Sequence, residues 1–520
     1  MEPTSVNVAS PTAGLRAAMV TCSGLSAIVT LPLLGLALRA DERFNPYFFG
    51  ALRAEQPLST ISHPLEMLPL YVELGNFRPL GRIIEHANYL LQYQIFAQMG
   101  APMNIAVGIT RLVSITLLGA TTTWFAHRLT RSRTADARLS TVPWLVAFVF
   151  PAILTYSGNT SSFVVFSALY FQSTVLLLLL AAAFTWQRLY RPNERLSWPQ
   201  VAGFVLIGAV AAGTNELVYL AVPVAAGTIA LLARHHDLPV SQLVRAPIGR
   251  AGIAATAGFA AVFVPARVAI LRACTGPEAA CYAASEVTLS GWSPALLGAR
   301  ILAGTPLPTL WMLRYSSELR SFAPSLAVLL LLVLAVALAW RRGDLLREHP
   351  AGSGAGSGPA IIGVALVLAA ALLSSLSGAV QTGNPFASWR EDPVALVGWS
   401  LFVAGLLDLV GRRLAWRRAF VVPLAVLVLL ASVTSCSSNV ARQTVDRNDP
   451  RSQIADRLAV EASSFDRSDE GNERRCRLLD EFDRLHEGLE SQQERLRWSL
   501  DGMAQHRHGT DFCEGNPHGR

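Results

Sequence analysis

The stretch AAMVTCSGLSAIVTLPLLGLALRADERFNPY, residues 17–47, decides how the rest of the chain is read. Its first part, Ala17 to Leu38, is apolar and long enough to cross a bilayer, for which about 20 residues are needed. No small-residue cleavage site precedes a soluble domain, so the segment is expected to remain as a span and not to be removed as a signal peptide. The span runs out into Arg39 and then into two adjacent carboxylates, Asp41 and Glu42. A charge at the edge of lipid needs water, a partner or a task.

Working outward, the same apolar pattern recurs. The chain has 520 residues, of which 52% are hydrophobic and only 15% charged, and its mean hydropathy is +0.38. Soluble domains carry about 25% charged residues, so the composition excludes an ordinary soluble enzyme. Counting segments of near-spanning length gives about eleven, at 16–38, 103–126, 141–157, 162–185, 199–214, 217–233, 251–270, 323–340, 360–381, 394–411 and 419–435. The expected fold is therefore all-α, a polytopic transmembrane helix bundle. The segments 199–214 and 217–233 are the shortest and are parted only by Asn215 and Glu216.

The formal net charge is +7, and every basic residue is Arg. These arginines gather in the short connections 127–138, 187–195, 233–250, 341–349 and 411–418, whereas 157–162 and Asn215-Glu216 hold none. The asymmetry reads as cytoplasmic for the Arg-rich set, which puts the N-terminus inside and the C-terminus outside. It also accounts for the basic charge without nucleic acid.

Residues 1–435 then form the membrane domain. A long outer loop covers 39–102, a second covers 271–322, a short one covers 382–392, and a polar tail covers 436–520. GSGAGSG at 352–358 is a flexible linker. The first loop is too long for a mere connector. Its stretches 61–74 and 79–98 are expected to be helices on the membrane surface, with His63 and His86 as surface residues. In the tail, helical spacing over 451–465 and 473–500 puts Leu478, Phe482, Leu485 and Leu489 on one face, predicting two amphipathic helices. Cys274 and Cys281 share the second outer loop, and Cys476 and Cys513 share the tail; on an oxidising side either set could form disulfides, with pairing left open. No Cys-x-x-Cys or His-x-x-x-His metal spacing occurs.

Several polar groups are candidates for chemistry. Asp41 or Glu42 could take a proton from a hydroxyl, or both could hold a divalent cation such as Mg or Mn against a phosphate leaving group. The alternative is a carboxylate pair that caps the first span or pairs with Arg43. Arg78 and Arg82, four positions apart in NFRPLGR, share a face if a helix starts at Pro79, and Gly81 between them permits close approach. Arginine is a natural phosphate ligand; the alternative partners are Glu73, Glu85 or lipid head groups. Arg111 lies inside the second span, where a charge needs an acid or a phosphate, or must reach back to the interface. In the hairpin at Asn215 and Glu216, a buried Glu could orient a sugar or pair with an arginine; the alternative is a solvated tip. Tyr156, Asn159, Gln172, Trp389 and Arg390 fall near the outer face, where they suit sugar or a normal interfacial belt. Glu318 and Arg314, in the second outer loop, carry less weight.

With those residues in place, the chain resembles the GT-C fold membrane glycosyltransferases that use polyprenyl-phosphate sugars. The protein O-mannosyltransferases and the lipid A aminoarabinose transferase carry an Asp-Glu pair after the first span, here Asp41-Glu42 followed by Phe44 and Tyr47. An Arg-Pro-Leu further along the loop recurs in such families, here Arg78-Pro79-Leu80. The motif resemblance covers the first 100 residues and the rest only by span pattern. The Trp-Trp-Asp motif of the oligosaccharyltransferases and a second Asp-x-Asp motif are absent from the sequence, and the tail does not resemble a large carbohydrate-binding domain. The resemblance implies inverting transfer on the outer face of a bacterial plasma membrane. Asp41 would be the base, Glu42 an assistant or metal ligand, and Arg78, Arg82 and Arg111 would hold the donor phosphate. The acceptor would be a glycan, lipid or protein of the cell envelope. A transporter of lipid-linked sugar would show internal repeats and mid-depth polar breaks, which the sequence lacks. A non-catalytic assembly protein would tolerate loss of Asp41 and Glu42.

Overall fold

The computed structural model describes residues 11–130, 141–155, 162–163, 166–190, 195–221, 224–225, 227, 245–275, 281, 288–305, 330, 357–386, 390–413 and 418–514. Among the described residues all regular elements are helices, and no strand occurs. The chain opens with α1 (Pro11–Thr30), then the loop helices α2 (Asn45–Glu55), α3 (Ser59–Glu66), α4 (Leu68–Glu73) and α5 (Pro79–Met99). It returns through α6 (Met103–Thr130), α7 (Thr141–Ala152), α8 (Ser167–Tyr190) and α9 (Trp198–Thr214). Next come α10 (Pro247–Ala273), α11 (Pro294–Ala303), α12 (Ser357–Ser375), α13 (Gly378–Thr382), α14 (Asp392–Arg413) and α15 (Arg418–Asn448). The tail holds α16 (Pro450–Ser464), α17 (Asp469–Leu485) and α18 (Glu490–His508).

Among the described residues, seven helices are long and apolar enough to cross a membrane: α1, α6, α8, α10, α12, α14 and α15. The helices α7, α9 and α11 are apolar but shorter. In the described residues α7 has 12 residues, a rise of about 18 Å, less than the ~30 Å hydrocarbon thickness. All 12 are buried, because α1, α6, α14 and α15 pack around them. Of the expected span at 217–233 only 217–221, 224–225 and 227 are described, and the expected span at 323–340 lies outside the described residues except for 330.

Three boundaries differ from the sequence expectation. The last apolar helix does not stop at residue 435 but continues to Asn448, because Ser435 and Asn439 are buried and donate to the carbonyls of Ala152, Val29 and Leu154. The tail has three helices in place of two. The break falls inside 473–500 at Gly488, whose φ of +79° is a left-handed conformation that favours glycine. The first loop contains an unexpected helix, α2, whose Pro46 sits in the first turn where its missing N–H costs nothing.

A single apolar cluster explains that extra helix. Phe44, Tyr47 and Ala51 of the α2 region pack with Tyr93 and Phe96 of α5 and with Leu458, Leu478, Phe482, Leu496 and Met503 of the tail. The first loop and the tail thus occupy one end of the bundle and share a core separate from the one between the spans. A disulfide joins Cys476 to Cys513 within this cap. A second, Cys274–Cys281, lies against Gly75, the turn that leads into α5.

Candidate functional site

Asp41 and Glu42 lie on a single 3-10 turn, Ala40–Arg43, and diverge from it. Glu42 turns inward and is only 4% exposed. Its Oε1 accepts hydrogen bonds from the Ser167 backbone N–H at 2.8 Å and the Ser167 hydroxyl at 3.1 Å, at the start of α8. Its Oε2 makes no hydrogen bond and stands 3.8 Å from Nη2 of Arg111. Burial pushes the Glu42 pKa up, while the Arg111 charge and the Ser167 hydrogen bonds pull against it. Asp41 turns outward. Its carboxylate, 37% exposed, accepts from Nη2 of Arg495 on α18 at 2.8 Å. Arg495 also lies over the Phe44 ring, 4.8 Å from its centroid. The expected alternative of pairing with Arg43 does not hold. Arg43 donates to the Leu38 carbonyl, contacts His486 at 3.0 Å and covers the Phe482 ring.

Arg111 is buried in α6 and is tied to residues at the ends of neighbouring helices. Besides Glu42 it donates to the Leu33 carbonyl at 2.8 Å and to the Ser167 hydroxyl at 3.4 Å. An acid, a backbone carbonyl and a hydroxyl are thus among the partners of this buried guanidinium, which offset the cost of burying its charge.

The second group is built on α5. Pro79 starts the helix, so Arg78 and Arg82 fall on one face and both approach Glu85, at 4.0 Å and 3.0 Å. Gly81 lies between them because the carbonyl of Thr214, at the end of α9, occupies the space a Cβ would need. That contact brings the arginines to the Asn215-Glu216 turn. Glu216 accepts from Nη1 of Arg390 at 3.0 Å. Arg78 lies over the Phe166 ring and adjoins Tyr170 and Glu216. Burial opposes the Arg78 charge, but Glu85, Tyr170 and Glu216 together hold its pKa above the ordinary arginine value. Burial likewise opposes the charges of Glu85 and Glu216, yet neighbouring arginines, first Arg82 for Glu85 and first Arg390 for Glu216, keep both carboxyls below the usual range. Nε of Arg78 and Nε of Arg82 are buried and make no hydrogen bond. Among the described residues these two N–H donors meet no acceptor.

Further polar contacts extend from α5 towards the first group. Tyr89 donates to Glu85 at 2.6 Å and accepts from the Asn45 amide at 2.9 Å, only a few residues after Asp41. Asn88 and Gln172 exchange amide hydrogen bonds at 3.0 Å, and Gln172 donates to Ser114, which joins α5, α8 and α6.

Of the expected site residues, Asp41, Glu42, Arg78, Arg82, Arg111, Glu216 and Arg390 all lie along this end of the bundle. Asn215 is fully buried and serves the framework: its amide donates to Ser173 at 2.6 Å and its carbonyl oxygen accepts from Leu217 and Val218. Tyr156, Asn159, Trp389, Arg314 and Glu318 lie outside the described residues. His86 is not a surface residue. It is 1% exposed, accepts from Nε of Arg53 at 3.1 Å, and its pKa falls to about 3 because burial penalises the cation. Glu85 entered the sequence reading only as a counter-ion, and Tyr89, Asn45, Ser167 and Tyr170 did not enter at all. The spacing 78, 82, 85, 89 is a helical stripe that could have found Glu85 and Tyr89. Ser167 and Tyr170 come from a distant segment with no local signal.

The carboxylates of Asp41 and Glu42 do not converge on one point, since one faces Arg495 and the other Arg111. Among the described residues no group of three or more His, Cys, Asp or Glu is placed to hold a metal ion. This donor set does not fit a cation bridged by the acid pair.

No protein-family model matches the chain, and no curated protein sequence matches it.

Proposed function

We propose that this protein is an integral membrane glycosyltransferase that moves a sugar from a polyprenyl-phosphate donor to a cell-envelope glycan, lipid or protein. In this reading the site faces the extracytoplasmic side of a bacterial plasma membrane. The observation that carries it is the gathering of Arg78, Arg82 and Arg390 about Glu85 and Glu216, with the Nε donors of Arg78 and Arg82 making no hydrogen bond among the described residues. Buried, positioned guanidinium groups with unbonded Nε donors fit a phosphate ester at the end of a lipid. It lies at the same end of the bundle as Asp41, a partly exposed carboxylate.

The roles follow from the surroundings. Asp41 takes the proton of the acceptor hydroxyl as that oxygen bonds to the anomeric carbon. The carbon–oxygen bond to phosphate breaks on the opposite face, its electron pair leaves with the phosphate, and the configuration inverts. Arg78 and Arg82 stabilise the charge that gathers on the departing phosphate, with Arg390 behind them. Glu42 is committed to Ser167 and Arg111, so it shapes the turn that presents Asp41 and does not take a proton itself.

The test is sugar transfer by purified full-length protein from a panel of polyprenyl-phosphate sugars, wild type against Asp41→Asn. We expect the variant to keep its fold and to lose roughly 10²–10⁴-fold in transfer rate. Transfer unaffected by Asp41→Asn would remove Asp41 from the mechanism. Wild-type protein that carries a labelled lipid-linked sugar across a vesicle membrane without transferring it would replace the enzyme with a transporter.

A further inference from the structure

The proposed reaction does not use the seam between α2 and α18. Along α18, Arg495, Trp498, Gly502 and His506 recur at spacings of three and four, so they face one way. They meet α2 in register. Arg495 reaches Asp41 and Phe44, Trp498 stacks on Phe48 with centroids 3.6 Å apart, Gly502 approaches Phe48, and His506 contacts Glu55. Eleven helical steps separate Arg495 from His506, a run of about 16 Å that starts at Asp41. Its far part opens into a cavity of about 280 Å³ lined by Phe48, Leu52, Glu55, Gly502, Gln505 and His506. Trp498 remains 58% exposed although it stacks on Phe48.

We propose that this groove binds a short saccharide, the growing or receiving end of a glycan acceptor, with the exposed face of Trp498, backed by the cavity-lining Phe48, as its stacking platform. A sugar ring presents an apolar C–H face and a rim of hydroxyls, so it needs an aromatic surface edged by polar groups. The groove supplies both: the stacked pair at one end, and Glu55, Gln505 and His506 at the other. An acyl chain fits poorly, because it would cover the Glu55–His506 and Gln505–Asp511 polar pairs without offering a hydrogen bond to either. A peptide finds no sheet edge to extend, since both walls are helices. Gly502 keeps the walls close: a Cβ there would stand 3.3 Å from the Phe48 ring. The groove's start at Asp41 orients the bound chain so that its terminal hydroxyl reaches the base. This last point rests on the glycosyl-transfer reading; the binding itself does not.

The experiment is binding of full-length protein, without any donor, to an array of oligosaccharides from bacterial cell envelopes. We expect binding to one or more linear glycans, weakened about tenfold by Trp498→Ala and retained by Trp498→Phe. Because Trp498 is largely exposed, its removal should leave the fold intact; Gln505→Ala, also at an exposed position, should weaken binding by a few-fold as an independent check. Binding to no saccharide overturns the proposal, as does binding that Trp498→Ala leaves unchanged. Protein that binds saccharide but transfers no sugar keeps the groove and loses the activity, so the two readings fail separately.

Discussion

Asp41 and Glu42 are neighbours in the chain and opposites in the fold. Glu42 faces the membrane helices, is almost completely buried, and is held by Ser167 and Arg111. Asp41 faces the cap, is partly exposed, and is held by Arg495, a residue 454 positions away. The 3-10 turn separates them, since side chains one step apart on a helical turn point in different directions. The comparison teaches that a tandem acid is not a single functional unit. One carboxylate is fixed in a dry framework where its pairing matters for stability. The other stays where solvent and the tail both reach it, which suits the proton transfer proposed for it.

The largest way to break the contrast is on the Glu42 side. Arg111→Met should destabilise the protein by about 3–5 kcal/mol, because it leaves Glu42 buried without its counter-charge. A drop in the apparent Tm of detergent-solubilised protein reads this. The double variant Glu42→Gln with Arg111→Met should recover much of the loss, as expected for a coupled pair. A single Arg111→Met as stable as wild type would show that the pair is not dry.

A pH titration sharpens the same comparison. The folded Glu42 pKa is raised, so between its unfolded value near 4.5 and the higher folded value the native state binds more protons. Its contribution is therefore most favourable below about 4.5 and is lost as pH rises through the folded value. Glu85 has the opposite sign: its folded pKa is lowered, so its contribution is present above about 4.5 and lost as pH falls through the folded value. The stability difference between wild type and Glu42→Gln should thus move against wild type as pH rises from 4.5. For Glu85→Gln it should move in favour of wild type over the acid range. Parallel trends for both variants would contradict these environments.

The smallest effect belongs to the Asp41 side. Arg495→Ala should change stability by less than ~1 kcal/mol, because both partners are substantially exposed and water screens the pair. Thermal unfolding at low and at high salt would check this. A loss of several kcal/mol would mean that the cap buries Asp41 and would weaken its assignment as the base.

The first loop shows how far the linear pattern reached. Arg78 and Arg82 were legible as one helix face from Pro79 and a spacing of four, and the structure places both on Glu85. Arg111 was legible as a charge that must be satisfied inside a span. The acids were legible as unusual, but not their separate directions. His86 was misplaced on the surface because its burial depends on α2, a helix whose apolar face is matched by α5 and the tail and by nothing nearby in sequence. The same holds for the tail, where helical spacing ran unbroken through a region that Gly488 divides.

By itself the sequence determined that this chain is helical, that several of its segments are apolar enough to cross a membrane, and that Asp41, Arg78, Arg82 and Arg111 stand where charge needs a reason. Those conclusions rest on local quantities: the length of an apolar run, a helical period, the cost of a charge beside lipid. Tertiary structure alone decided that Glu42 meets Arg111 and Ser167, that Asp41 meets Arg495, that Glu216 meets Arg390, and that α2 and α18 line a common groove. Each of those pairings joins residues from separate helices, and a side chain's orientation around its helix is set by what packs against it from elsewhere in the chain.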